Sequence, residues 1–106
     1  MAKYKIRLLQ PAWDDLARIE LWYLMQFDSD TAIKVSDAIL SAIDRLATHP
    51  DSGKLTPDEV LNQTGYRMIV CKYHAAFYKR LDRTIYVYHI ADLRTEYTRL
   101  FDGMKS

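Results

Sequence analysis

Residues 66–89 read YRMIVCKYHAAFYKRLDRTIYVYH, and the fold turns on how this stretch pairs with itself. It holds five of the chain's eight tyrosines and five lysines and arginines. Its β-branched and aromatic residues alternate with polar ones, which predicts three strands, over residues 66–71, 74–81 and 84–91. The last two meet at Asp82-Arg83, a dipeptide without the glycine that a two-residue hairpin turn prefers. One residue of register exchanges the faces of a strand. A two-residue turn puts Phe77 on the face of Tyr86 and Tyr88. One extra loop residue puts Phe77 with Ile85 and Val87 as the core face. The second arrangement is expected, because it leaves Tyr86 and Tyr88 together on the other side.

Upstream of this stretch the period changes. Tyr4, Ile6 and Leu8 alternate with Lys5 and Arg7, which predicts a short strand over residues 4–9. Pro11 suits the first position of a helix, where a missing N–H is harmless. Asp14 and Asp15 are expected in the first turn, at the positive end of the helix dipole. Leu16, Ile19 and Tyr23 follow at helical spacing, with Trp13 and Ala17 beside them, so helix is expected over residues 11–27. Asp28-Ser29-Asp30 supplies N-cap candidates. Ala32, Val35, Ile39, Ala42, Ile43 and Leu46 then form a second apolar stripe, predicting a helix over residues 31–48 that ends before Pro50. The short gap makes the pair an antiparallel hairpin. Residues 49–64 read as loop, with room for one helical turn at 57–62. Residues 93–101 form either a short helix or an irregular segment, and residues 102–106 a frayed tail.

The expected order is therefore β-α-α-β-β-β in one domain: an α+β fold, with a small antiparallel sheet packed against a helical hairpin and an optional short C-terminal helix. Its 106 residues suit one domain with one core. Hydrophobic content of 49% and charged content of 27% argue against a disordered chain. No apolar run is long enough to span a bilayer, and the N-terminus lacks the apolar stretch of a signal peptide. The single cysteine, Cys71, fits a reducing cytoplasm. Net charge is +1, but residues 1–60 carry 7 Lys/Arg against 10 Asp/Glu, and residues 61–106 carry 8 against 4. The basic second half suits an acidic partner, or is a solvated face.

No cofactor is implied. The three glycines, at 53, 65 and 103, make no phosphate loop. Cys71, His74 and His89 do not have zinc-site spacing, and GYRMIVCKY lacks the glycine-aromatic signature of an RNA-recognition module.

In order and spacing the segments resemble the RelE/ParE superfamily of bacterial type II toxins over nearly the whole chain. YKIRLLQPAWDDLARIELWY (4–23) is similar to the family's first strand and helix, and AIDRLATHPDSGK (42–54) to the end of its second helix. YRMIVCKYHAAFYK (66–79) resembles its strand pair, and IYVYHIADLRTEYTRLF (85–101) its last strand and arginine-bearing tail. The resemblance implies a cytoplasmic growth inhibitor, encoded beside a small antitoxin that folds on binding and forms a hetero-oligomer with it. The helical hairpin and the sheet edge would be the docking surfaces. The exposed side of the first helix, with Trp22 and Met25, is one such patch, unless Trp22 packs into the core.

Two branches of the superfamily differ in mechanism. Relatives like RelE cut messenger RNA on the ribosome, and relatives like ParE poison DNA gyrase. Cutting RNA needs a base, an acid and cations for the phosphate. Arg67 matches the family's strand arginine, Arg94 its tail arginine and Tyr97 its tail tyrosine, and His89 is a weaker candidate. Lys79 and Arg80 add charge for a target or an acidic antitoxin, as Arg67 and Arg94 would. Each of these residues has a plainer reading, as exposed sheet charge, as a strand histidine bonded to a carbonyl, or as a packed tyrosine. Where many relatives place a histidine before the tail arginine, this chain has Asp92, which would repel RNA phosphate and pair with Arg94 instead. That departure and the low net charge favour the gyrase-poisoning branch. A toxin fold that retains only antitoxin binding is the third reading.

Overall fold

A computed structural model describes residues 3–55, 63 and 65–94. The helical turn expected at 57–62, the segment from 95 onward, and with it Tyr97, lie outside the described residues. The elements run β1 (Lys5–Leu8), α1 (Gln10–Gln26), α2 (Ser29–Asp44), a 3-10 turn (Arg45–Ala47), β2 (Lys54–Leu55), β3 (Arg67–Cys71), β4 (His74–Leu81) and β5 (Thr84–Asp92). One sheet takes the order β1-β5-β4-β3-β2. The helical hairpin lies across it, as the α+β reading expects. The sheet is mixed rather than wholly antiparallel: β1 runs parallel to β5, because both helices intervene before the chain returns beside it. The two-residue β2, pairing with Met68 and Arg67, is an addition to the expected strands.

The helices form for legible reasons. Pro11 stands at the start of α1, among amides that have no intrahelical acceptor. Asp14 and Asp15 are not in that first turn, since the helix begins at Gln10. Asp14 instead accepts from Gln10 Nε2 at 2.9 Å. The buried stripe is Ala12, Asp15, Leu16 and Ile19, while Trp13 and Ala17 face outward. Asp28 caps α2, its carboxylate accepting from the Thr31 amide at 2.7 Å. Ala32, Ile39, Ala42, Ile43 and Leu46 bury the stripe foreseen for α2, with Ser36 among them. Ser36 Oγ donates to Glu20 Oε1 of α1 at 2.6 Å, joining the two helices.

The β4–β5 hairpin departs from the expected register. Leu81 pairs with Thr84 across a two-residue turn. No glycine is needed, because Asp82 itself adopts the left-handed conformation, with φ 54°; Asp tolerates it better than most residues. Tyr78, paired with Val87, is therefore the residue that faces the helices, together with Ile85, Ile69 and Leu46. Phe77 turns to the opposite face and forms a second buried cluster with Ala75 and Ala91, against Tyr66, Met68 and Leu93. That face is thus apolar at one end. Between Phe77 and Tyr78 the ladder slips by one residue, so that Phe77 pairs with His89. This bulge turns β5 locally.

Tyr78 is fully buried, and its hydroxyl donates to the Pro50 carbonyl at 3.1 Å. The loop at Pro50–Gly53 lies directly on the tyrosine ring. A Cβ at Gly53 would collide with the Tyr78 hydroxyl and ring carbons. Gly53→Ala is expected to destabilise by about 1–3 kcal/mol, the usual cost of overpacking. Urea unfolding measures it, and a loss below about 0.5 kcal/mol would mean that the loop moves aside freely.

Candidate functional site

Several cations of the sheet and its ends lie over tyrosine rings. Lys79 Nζ lies 4.3 Å from the centre of the Tyr66 ring and 5.7 Å from that of Tyr88, on the face away from the helices. Arg80 and Arg83 lie over the Tyr4 ring, at 5.6 and 5.5 Å. Arg94 lies over Tyr73 at 4.3 Å. These are cation–π distances.

The basic residues proposed as a site do not share one face. Cross-strand partners point to one side of a sheet, and Arg67 pairs with Tyr78. Arg67 and Arg80 thus stand on the helix side, at the end left open by the hairpin. There Arg67 Nη1 donates to the Gly53 carbonyl at 3.2 Å and Arg80 Nη1 to Asp51 Oδ1 at 3.3 Å. With the Tyr78 hydroxyl they hold the Pro50–Gly53 loop against the sheet. Lys79 is on the far side. Arg94 follows the other end of the sheet, beside His74, four residues along β4 from Tyr78 and hence about 13 Å of strand away.

His89 is committed to structure. Its Nδ1 lies 3.0 Å from Asp15 Oδ2, and the Ile90 amide donates to the same oxygen at 3.0 Å. Asp15 Oδ1 pairs with Arg18 Nη2 at 3.2 Å. The bulge brings the side chain of His89 and the amide of Ile90 to one carboxylate. Asp15 therefore fastens α1 to β5. The plainer reading of His89 as a bonded strand histidine holds, with a buried carboxylate in place of a carbonyl.

A cleft of about 410 Å³ opens between the second half of α1 and the β4–β5 end of the sheet, lined by Arg18, Ile19, Trp22, Tyr23, His74, Asp92 and Arg94. Trp22 is not core: it is half-exposed, and Met25 is 73% exposed one turn on. Trp22, Tyr23 and Phe27 stack edge and face with centroids 5.0–6.1 Å apart. Asp92 grips Arg94 with both oxygens, at 2.9 Å to Nη2 and 3.2 Å to Nε, and accepts from the Arg94 amide at 2.8 Å. The Tyr23 hydroxyl lies 3.3 Å from Arg94 Nη2. His74 Nε2 is 3.9 Å from Asp92. Of the cleft residues, sequence reasoning singled out Trp22, Arg94 and the Asp92 pairing. It missed Arg18 and Tyr23 as lining groups. It also missed Asp15, whose place on the apolar stripe beside Leu16 was the available signal.

Burial works to raise the Asp92 carboxyl, but the hydrogen bonds and charge of Arg94 outweigh it and hold the group below its ordinary 3.8. A depressed carboxylate adds stability that is complete above the unfolded value, about pH 4, and is lost as pH falls through the lower folded value. The melting temperature of wild type should therefore fall more steeply below about pH 4 than that of Arg94→Ala. Parallel acid limbs would contradict the pairing.

The family model for the ParE toxin of the type II toxin-antitoxin system parDE matches residues 6–97. The chain belongs to the ParE toxin family. Among solved structures, this ParE-family chain is similar to one described as a chromosomal ParDE toxin-antitoxin system from P. aeruginosa, with a TM-score of 0.74 and 19% identity over 86% of this chain and 97% of that one. It is also similar to a chain of the RelBE2 toxin-antitoxin complex from Mycobacterium tuberculosis, with a TM-score of 0.63 and 17% identity over 85% and 98%. At these identities the likeness is one of fold. No curated protein matches by sequence. Among the described residues of the ParE-family chain, no helix is long and apolar enough to cross a membrane.

Proposed function

We propose that this chain inhibits growth by binding DNA gyrase and blocking it, with no bond-breaking step of its own, and that a cognate antitoxin neutralises it in the cytoplasm. The observation that carries the reading is the Asp92–Arg94 clasp. A nuclease of the RelE kind would need its tail arginine to meet a phosphate. Here a carboxylate already takes the Nε–Nη2 edge of that guanidinium, and it adds a negative charge where the phosphate would come. His89 is bound to Asp15, and Arg67 to a carbonyl at the other end of the sheet. The match to the ParE toxin family model supports the same side.

Primer extension on transcripts, after induction of wild type and of an Arg67→Ala, Arg94→Ala double mutant, tests it. The expected result is growth arrest by wild type without codon-position cuts. Ribosome-dependent cuts that vanish in the double mutant would move the chain to the endoribonuclease reading. Antitoxin binding without any growth arrest would leave only the third reading, a toxin fold that retains its partner.

A further inference from the structure

The sheet face turned away from the helices carries its own set of cations, drawn from strands far apart in sequence. Ile6 and Leu8 of β1 pack on the core, so Lys5 and Arg7, both exposed, point the other way. Arg7 pairs with Tyr86, and Tyr86 pairs with Lys79. Lys79 in turn lies over the Tyr66 ring at 4.3 Å. Cation and tyrosine thus alternate across three strands. Lys54 of β2, also exposed, pairs with Met68, whose side chain packs beside Phe77, and so stands on the same face. The outer strands β1 and β2 are four strand spacings apart, about 19 Å. Asp92, the one acidic residue of the described strands, lies on the helix side near His74. Asp82 stands in the β4–β5 turn, beyond the end of the face.

This arrangement selects a polyanion, and the details select which kind. A protein partner would need an apolar anchor, since interface energy concentrates in a few buried contacts. Phe77, Ala75 and Ala91 are fully buried. The exposed apolar residues of the face, Val70 and Leu81, stand at opposite ends of it. Val70 pairs with Ala75, six residues along β4 from Leu81, about 20 Å. An unstacked single strand would need open ring faces. Tyr66 and Tyr88 instead meet edge to face at 5.2 Å, and Lys79 lies over both. What the face offers is ammonium, guanidinium and phenol groups on a rigid, hydrogen-bonded support. These are the groups that hold phosphates without reading bases. Burial and the neighbouring Tyr88 push the Tyr66 hydroxyl up from its ordinary value, so it stays a neutral donor. A duplex strand carries one charge per about 3.4 Å, so a face this wide spans several phosphates.

We infer that this face, through Lys5, Arg7, Lys54 and Lys79, binds the phosphate backbone of duplex DNA, the substrate that gyrase holds. The choice of duplex DNA rests on the gyrase reading. Fluorescence anisotropy of the full-length protein on a labelled, mixed-sequence duplex, at stepped salt concentrations, tests it. Four phosphate contacts predict a slope of log affinity on log salt of about −3 to −4. Arg7→Gln should flatten the slope by about 1, and the Arg7→Gln, Lys79→Gln double variant by about 2, with at least about tenfold lower affinity at low salt. Lys34→Gln removes the same charge from the exposed side of α2 and should leave the slope within about 0.3 of wild type. Far-UV circular dichroism and melting temperature establish that each variant is folded.

Absence of duplex binding by wild type overturns the inference. So does an equal change in Lys34→Gln, which would mean diffuse charge rather than a face. Tighter binding of single-stranded RNA of the same sequence would make the face a single-strand platform, and polyglutamate that competes as well as unlabelled duplex would make it a seat for acidic protein. Either result overturns the assignment. A supercoiling assay separates the two readings. Gyrase stopped equally by wild type and by the double variant overturns the DNA face and leaves the gyrase reading standing. Duplex binding through these residues, with gyrase working at full rate, supports the face and overturns the gyrase reading.

Discussion

Tyr78→Ala is expected to lose about 3–5 kcal/mol of folding stability, as large-to-small changes of buried aromatic residues do. That is a large share of the roughly 5–15 kcal/mol that holds a domain of this kind together. The ring is fully buried among Leu46, Ile69, Ile85 and Val87, and the hydroxyl reaches the Pro50 carbonyl. Removing it opens a cavity and also releases the Pro50–Gly53 loop from the sheet. Tyr78→Phe keeps the ring and should cost only about 1 kcal/mol, the net worth of one hydrogen bond. Chemical denaturation of both variants separates packing from the latch. Nearly equal losses for Phe and Ala would mean that the ring is not the centre of the core. Burial pushes the Tyr78 hydroxyl up from its ordinary value, against the pull of Arg67, so it remains a donor throughout the physiological range.

The second large effect falls on Asp15. Asp15 is 5% exposed, and its carboxylate serves Ile90, His89 and Arg18 at once. Asp15→Ala leaves the Ile90 amide without an acceptor and releases both side chains, at an expected cost of about 3 kcal/mol. Asp15→Asn keeps an oxygen for the amide but gives up the charge, so its loss should be about half as large. Hydrogen exchange at the Ile90 amide provides the local readout. Faster exchange there than at Val87 is expected in the alanine variant, and unchanged protection would show that α1 is held to β5 by packing alone.

Much of the architecture could be read from periodicity. The α2 stripe is continuous, so its buried face followed from spacing, and β3 to β5 were placed within a residue or two. The register of β4 and β5 did not follow. Both choices bury an aromatic residue, since Phe77 and Tyr78 are adjacent, and the turn residue Asp82 reached the left-handed conformation without glycine. A tyrosine went inward because a loop carbonyl stood ready for its hydroxyl, a contact between residues 28 apart that no local pattern reveals. The site was legible in part. The pairing of Asp92 with Arg94 is a matter of two residues and was foreseen. The clasp between Asp15 and His89 spans the whole fold, 74 residues apart, and only the bulge in β5 brings them together. The basic residues looked like one surface because they are close in sequence, but strand alternation and the tyrosines disperse them.

Direct assay of purified protein on DNA gyrase tests the central claim. The account predicts that wild-type protein stops ATP-driven supercoiling at stoichiometric concentration, that excess cognate antitoxin restores it, and that ribosome-bound messenger RNA stays intact beside it. Full supercoiling activity, together with transcripts cut only when ribosomes are present, would contradict it.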